Sequence, residues 1–304
     1  MPIHRTAILL CIVASLLFSV LLTACTSPSG FSVSSSSTGI AIVAAENFYG
    51  DIARHVGGTK VSVMSILNDP NVDPHQYESS VQTALAVARA SVVIENGADY
   101  DTWMGRLLAA SPNSRRIVIV ASEIAPITLP DNPHVWYDVR NMQTVAQAIN
   151  AALKKVDSGN AQTFDTNLQI TIQSLNQITQ KIDEIKGKYA QTPVGLTEDI
   201  YLYQAAPLGL NVLTPLAFQK AIAEGNDPPA DTVITTTNQI NQHLIKVLIY
   251  NEQTVTPITS NLQRAAQSQH IPIVSVTETM PSHKTYSQWM LDQLNQLKQA
   301  LQNG

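Results

Sequence analysis

The chain has 304 residues, 44% of them apolar and 13% charged, with a formal net charge of −5. Mild acidity without a basic patch or basic-aromatic interleaving excludes nucleic acid as a partner. Two cysteines are too few to staple a small secreted fold, so a hydrophobic core must suffice; the length allows one, arranged as two lobes.

The first element is a leader. "MPIHRTAILLCIVASLLFSVLLTAC" has a short basic start at His4 and Arg5, then an unbroken apolar run from Ala7 to Leu22. That is the pattern of a secretory signal over residues 1–24, not of a structural helix. It closes in "LTAC", which resembles a bacterial lipobox, so Cys25 is expected to carry lipid and to begin the mature chain. Residues 26–39, "TSPSGFSVSSSSTG", complete a 25–39 anchor-and-tether segment whose coil spans roughly 20 Å. More than one acyl chain is needed for durable anchoring. The expected picture is a body held just outside the cell membrane.

Beyond the tether, nearly continuous apolar runs read as strands buried on both faces: 40–46, 61–67, 90–97 and 116–122. Amphipathic stretches at Phe48–Val56 and Val81–Arg89 alternate with them, followed by a helix over Met142–Val156. The style recurs in strands at 193–197, 246–251 and 271–277, and the chain closes with an amphipathic helix, "TYSQWMLDQLNQLKQAL". Alternation of this kind predicts an α/β fold of two lobes, each a parallel sheet flanked by helices. The lobes would occupy residues 40–158 and 191–304.

Between them, residues 159–190 carry the clearest helix. From Phe164 to Tyr189 the apolar positions follow one stripe on a 3.6-residue period. About 28 residues reach roughly 42 Å, enough to run as a spine past both lobes. The alternative use of such a stripe is coiled-coil dimerisation, but a single isolated stretch inside an α/β chain favours the intramolecular role and a monomer.

Ligands in α/β sheets gather at the carboxyl ends of the strands. There "DPNVDPHQYE" offers His75 and "PDNPHVWYD" offers His134, each preceded by a Pro that stiffens its loop. "VGLTEDIYLY" and "IVSVTETMP" place Glu198 and Glu278 at strand ends. Taken singly, each residue has an ordinary surface or capping role. Together, two imidazoles and two carboxylates suit a divalent first-row ion. The remaining histidines (His4, His55, His243, His270 and His283) stand alone in polar stretches and are read as non-ligands, and Trp103, Trp136 and Trp289 as core or cleft lining.

The blocks "AAENFYGDIARHVGG", "SILNDPNVDPHQYE", "VVIENGADYDTWMGRLL", "NPHVWYD", "LIYNEQTVTPITSNLQRAA" and "IPIVSVTETMPSHKTYSQWM" resemble the zinc/manganese-type solute-binding lipoproteins of bacterial ABC transporters, the ZnuA/TroA-like family. The resemblance runs over nearly all of residues 40–302. It implies two α/β lobes joined by one long helix, with an ion buried between them. It also implies an ABC permease and its ATPase as partners. Carried over by position, His75 and His134 become the first two ligands, Glu198 the third and Glu278 the fourth. Many zinc members have His at the third position; Glu198 makes this set harder, which moves it toward Mn2+, while intrinsic affinity still ranks Zn2+ higher. Four protein donors would close the coordination sphere, as in a holding site and unlike a catalytic one. Affinity should fall as imidazole takes up its proton, near pH 6–7.

Two other classes compete. A metal-dependent hydrolase would need an open position, and no HExxH-like helix is present. A binding protein for an organic ligand could use the same two-lobe plan without needing either histidine. A cell-adhesion role, sometimes attributed to the family, has no motif here that speaks to it.

Overall fold

The computed structural model describes residues 39–69 and 77–303. The expected leader, Cys25, the expected tether before Gly39, and His75 lie outside them. Among the described residues no helix is long and apolar enough to cross a membrane.

The first sheet consists of β1 (Ile40–Glu46), β2 (Val61–Leu67), β3 (Val92–Glu95) and β4 (Ile117–Val120), all parallel, in the order β2-β1-β3-β4. The second sheet repeats that plan with β5 (Pro193–Leu196), β6 (Asn211–Val212), β7 (Val247–Asn251) and β8 (Ile273–Val276) in the order β6-β5-β7-β8. Central strands β3 and β7 are mainly apolar and almost wholly buried, as parallel strands covered by helices on both faces must be. Five expected strands are shorter than their runs, most of all 90–97, 116–122 and 271–277, of which the last is only Ile273–Val276. The run at 116–122 ends in a helical turn, Ala121–Ile124, and the run at 90–97 gives way to a turn after Glu95. The two-residue edge strand β6 was not expected at all.

Helices α1 (Asn47–Gly57), α2 (Val81–Arg89), α3 (Thr102–Ala110) and α4 (Val139–Val156) serve the first half. After α5 (Ala161–Tyr189) come α6 (Leu202–Leu208), α7 (Leu216–Ala223), α8 (Ala230–Asn241), α9 (Pro257–Ser268) and α10 (Tyr286–Asn303). Their starts are chemically marked. Ser80 caps α2 by accepting from Thr83 N, Asp138 caps α4 through Arg140 N, and Thr256 with Thr259 forms a capping box on α9.

The 29 residues of α5 extend about 43 Å. Phe164, Leu175, Ile178, Ile182 and Ile185 bury its stripe against α1, α4, α6 and α10 of the same chain. The stripe is therefore consumed intramolecularly, and no coiled coil is needed to cover it. One core continues through both halves, from Ile42 and Phe48 to Trp289 and Leu301. At its centre Phe48 stacks on Trp136 with ring centroids 4.7 Å apart and on Trp289 at 6.0 Å. Trp103 is buried too, in a smaller cluster.

Hydrogen bonds suture the halves. Asn47 Nδ2 donates to Met280 O at 2.6 Å, Tyr286 OH to Trp136 O at 2.6 Å, and Tyr137 OH to Thr277 O at 2.5 Å. Asp51 accepts from the Tyr286 amide, which fixes the start of α10 against the first half. A shared core with buried cross-bonds resists wide separation of the halves.

Candidate metal centre

In each sheet the strand order reverses between its two central strands, and side chains converge at their carboxyl ends. At the second sheet, Glu198 follows β5 and Asn251 ends β7. Asn251 Nδ2 donates to Glu198 Oε2 at 2.8 Å, while Asn251 N donates to Thr197 Oγ1 at 3.0 Å. Glu278 follows β8. Its backbone N–H and that of Thr279 both donate to Gln253 Oε1, and Gln253 Nε2 returns a bond to Thr279 Oγ1. The backbone of this loop is thereby fixed before any ligand arrives.

His134 approaches from the first half, ahead of the short turn Val135–Tyr137. His134, Glu198 and Glu278 are 2%, 3% and 5% exposed, so all three have left bulk water. His134 Nε2 faces Glu278 Oε1 at 3.3 Å. Tetrahedral ligands bound at 2.0–2.1 Å stand about 3.3–3.4 Å from one another, so this pair is spaced as two ligands of one zinc-sized ion. Among the described residues, Glu198 Oε1 has no hydrogen-bond partner. A buried carboxylate oxygen left bare is costly, and a cation is the natural partner to relieve it. Burial pushes the Glu198 carboxyl up to about 7, with the Glu278 charge adding and the Asn251 bond opposing.

Of the four residues expected from sequence, the structure brings His134 and Glu278 into contact and sets Glu198 within electrostatic reach of both. His75 lies outside the described residues. Among the described residues no third His, Cys, Asp or Glu closes with the pair into a set of three. His55 turns to the Asp51 carbonyl and His243 to Gln269, away from the site.

Three features were not read from sequence. Asp199, directly after Glu198, is buried with Oδ1 3.7 Å from His134 Nδ1. Asn132, two residues before His134, has its Oδ1 2.9 Å from the same ring nitrogen. Tyr100 packs edge-on to the imidazole at 5.9 Å, its phenol pushed up by burial and then by the adjacent Glu278 charge. Tyr100 is delivered by a left-handed turn through Gly97, Ala98 and Asp99 (φ 75°, 51° and 63°). The Asp101 carboxylate holds that turn by accepting from Asn96 N and Gly97 N.

The site opens on a cleft of about 1560 Å³ whose lining includes His134, Asp199 and Glu278. Asp99, Glu123, Asp131, Glu224 and Glu252 line it as well, against the single lysine Lys220, which pairs with Asp131 at 3.2 Å. A cleft of that sign concentrates cations.

Two parallel α/β halves share one helical spine, and an imidazole of the first meets a carboxylate of the second at their junction. The chain belongs to the family described as zinc-uptake complex component A, periplasmic, whose profile matches residues 42–300. Among its relatives are the manganese-binding lipoprotein MntA of Halalkalibacterium halodurans, 25% identical over 181 residues (58% of this chain and 60% of that protein), and the manganese ABC transporter substrate-binding lipoprotein ScaA of Streptococcus gordonii, 28% identical over 195 residues (60% and 61%). The chain thus spans about three fifths of the length of these relatives. The structure of the periplasmic zinc-binding protein TroA of Treponema pallidum superposes with a TM-score of 0.73 at 18% identity, covering 86% of this chain and 99% of that one, which shows the shared fold.

Proposed function

We propose that this chain is the extracytoplasmic solute-binding component of an ABC importer. It captures one Zn2+ or Mn2+ between its halves and delivers it to a membrane permease driven by an ATPase. The observation that carries this reading is the buried His134–Glu278 pair at ion-ligand spacing, with the bare Glu198 oxygen beside it. His134 comes from the first half and the two carboxylates from the second, so an ion there ties the halves together. His75 would supply the fourth donor. The names of relatives that carry manganese or zinc support the choice of solute.

Four protein donors leave no open position for a reacting water, so the role is holding and release, without catalysis. The mature protein would act as a monomer, anchored through lipid on Cys25 and suspended on the Ser-rich tether. With one core shared by both halves, loading would adjust loops and side chains more than it would swing lobes. Equilibrium dialysis of the metal-stripped protein against Zn2+ and Mn2+ tests the reading. One equivalent should bind, and His134→Ala and Glu278→Ala should each weaken it at least 100-fold. Binding unchanged in both variants would refute the assignment.

A further inference from the structure

The hydrogen bonds around Asn132 determine which nitrogen of His134 carries the proton. Asn132 Nδ2 lies 2.9 Å from the main-chain oxygen of Asp199, which can only accept. Asn132 Oδ1 lies 3.0 Å from the backbone N–H of His134, which can only donate. These two contacts fix the orientation of the amide independently, and they agree. The same Oδ1 stands 2.9 Å from His134 Nδ1, so that nitrogen must carry an N–H, and in the neutral ring Nε2, 3.3 Å from Glu278 Oε1, is left with its lone pair.

The residue that does this is itself held firmly. Asn132 N donates to Leu129 O, closing a tight turn, and Asn132 O accepts from Tyr203 OH at 3.0 Å. Tyr203 OH in turn accepts from Leu129 N at 2.8 Å. Asn132 is therefore pinned to the second half by its side chain and its backbone at once. A histidine side chain in water favours the Nε2–H tautomer, so this local network opposes an intrinsic preference.

Asp199 brings a second oxygen acceptor to the same place. Its Oδ1 is 3.7 Å from His134 Nδ1, lies fully buried, and has no hydrogen-bond partner among the described residues. An ion on Nε2 draws electron density from the ring and strengthens the Nδ1–H donor. A carboxylate on that side then stabilises the loaded state more than the empty one.

We propose that Asn132 and Asp199 are positioning residues: Asn132 locks His134 in the Nδ1–H tautomer before the ion arrives, and Asp199, reaching across from the second half, strengthens the loaded state. This inference rests on the metal-binding reading for its consequence, yet its first half concerns the metal-free protein alone. Long-range 1H–15N NMR of the metal-stripped full chain above pH 8 reads the tautomer directly, the His134 signals being assigned by their loss in His134→Ala.

The wild type should show Nδ1–H. Asn132→Leu should shift the ring toward Nε2–H and lower Zn2+ affinity about 10–100-fold. Asn132→Asp keeps an acceptor at that position and should retain the tautomer; it supplies the comparison should the leucine variant fail to fold. Asp199→Asn should leave the tautomer intact while reducing affinity about tenfold. An Nε2–H signal in the wild type overturns the proposal, and so does an Asn132→Leu or Asn132→Asp protein with the tautomer opposite to that expected. An Asp199→Asn protein with undiminished affinity removes the role given to Asp199. If the wild type shows Nδ1–H but binds neither Zn2+ nor Mn2+, the tautomer lock stands and the metal reading fails.

Discussion

Replacing Glu198 by Gln separates the cost of holding this carboxylate from its use. In the metal-free protein burial raises the group from its ordinary 4.5 to about 7. The folded state therefore holds this proton more tightly than the unfolded chain. Stability is intact below pH 4.5 and declines as pH rises toward 7, after which the loss is complete. At about 1.4 kcal/mol per unit, the loss amounts to about 3 kcal/mol. Gln keeps the shape, has an oxygen for Asn251 Nδ2, and never ionises. Urea unfolding in the presence of a chelator, from pH 4.5 to 8.5, should give matching stabilities at the acid end and a variant more stable by about 3 kcal/mol at pH 8. Zinc should then reverse the order. At a thousandfold excess over Kd the wild type gains about 4.1 kcal/mol, which exceeds that difference, and the variant gains little. A variant less stable than the wild type at pH 8 without metal, or one equally stabilised by zinc, would refute the reasoning.

Three other substitutions probe the frame around the site. Trp136→Ala removes a fully buried indole stacked on Phe48 and should cost about 3–5 kcal/mol, read as a lower urea midpoint. Gly97→Ala places a Cβ 2.5 Å from Ser122 Oγ at φ 75°; it should cost about 1–3 kcal/mol and weaken ion binding by displacing Tyr100, both measurable in one zinc-dependent melting series. Glu184 joins α5 to α10 by accepting from Lys181 and Lys298, bonds that pull its carboxyl down to about 2. Its contribution is present above pH 4.5 and lost as pH falls toward 2, so Glu184→Gln should differ from the wild type above pH 5 and converge with it in strong acid.

Much of the architecture was legible because parallel strands buried on both faces are written as nearly continuous apolar runs, and because the stripe on α5 follows one helical period. What escaped has physical reasons. β6 is two residues long at a sheet edge, too short to show alternation. α8, "ADTVITTTNQIN", is rich in Thr, whose weak helix propensity is overridden by packing. The strand runs at 90–97 and 116–122 overshoot because they take in small and polar flanking residues, Ala90, Ser91, Asn96 and Gly97 in the first and Arg116, Ala121 and Ser122 in the second, that join the adjoining loops and helical turn instead.

At the site itself, His134, Glu198 and Glu278 were visible as polar residues at strand ends beside stiff loops. Asn132 and Asp199 were visible only as letters. Their meaning comes from one half meeting the other, and no local pattern encodes a contact between residues 67 positions apart. The acidic cleft likewise assembles from loops that carry one or two carboxylates each.

X-ray absorption at the zinc edge of the loaded protein tests the central claim most directly. The account predicts four light donors at about 2.0–2.1 Å, two of them showing imidazole scattering, with one imidazole lost in His134→Ala. A six-oxygen shell without imidazole, or a spectrum unaltered by that substitution, would contradict it.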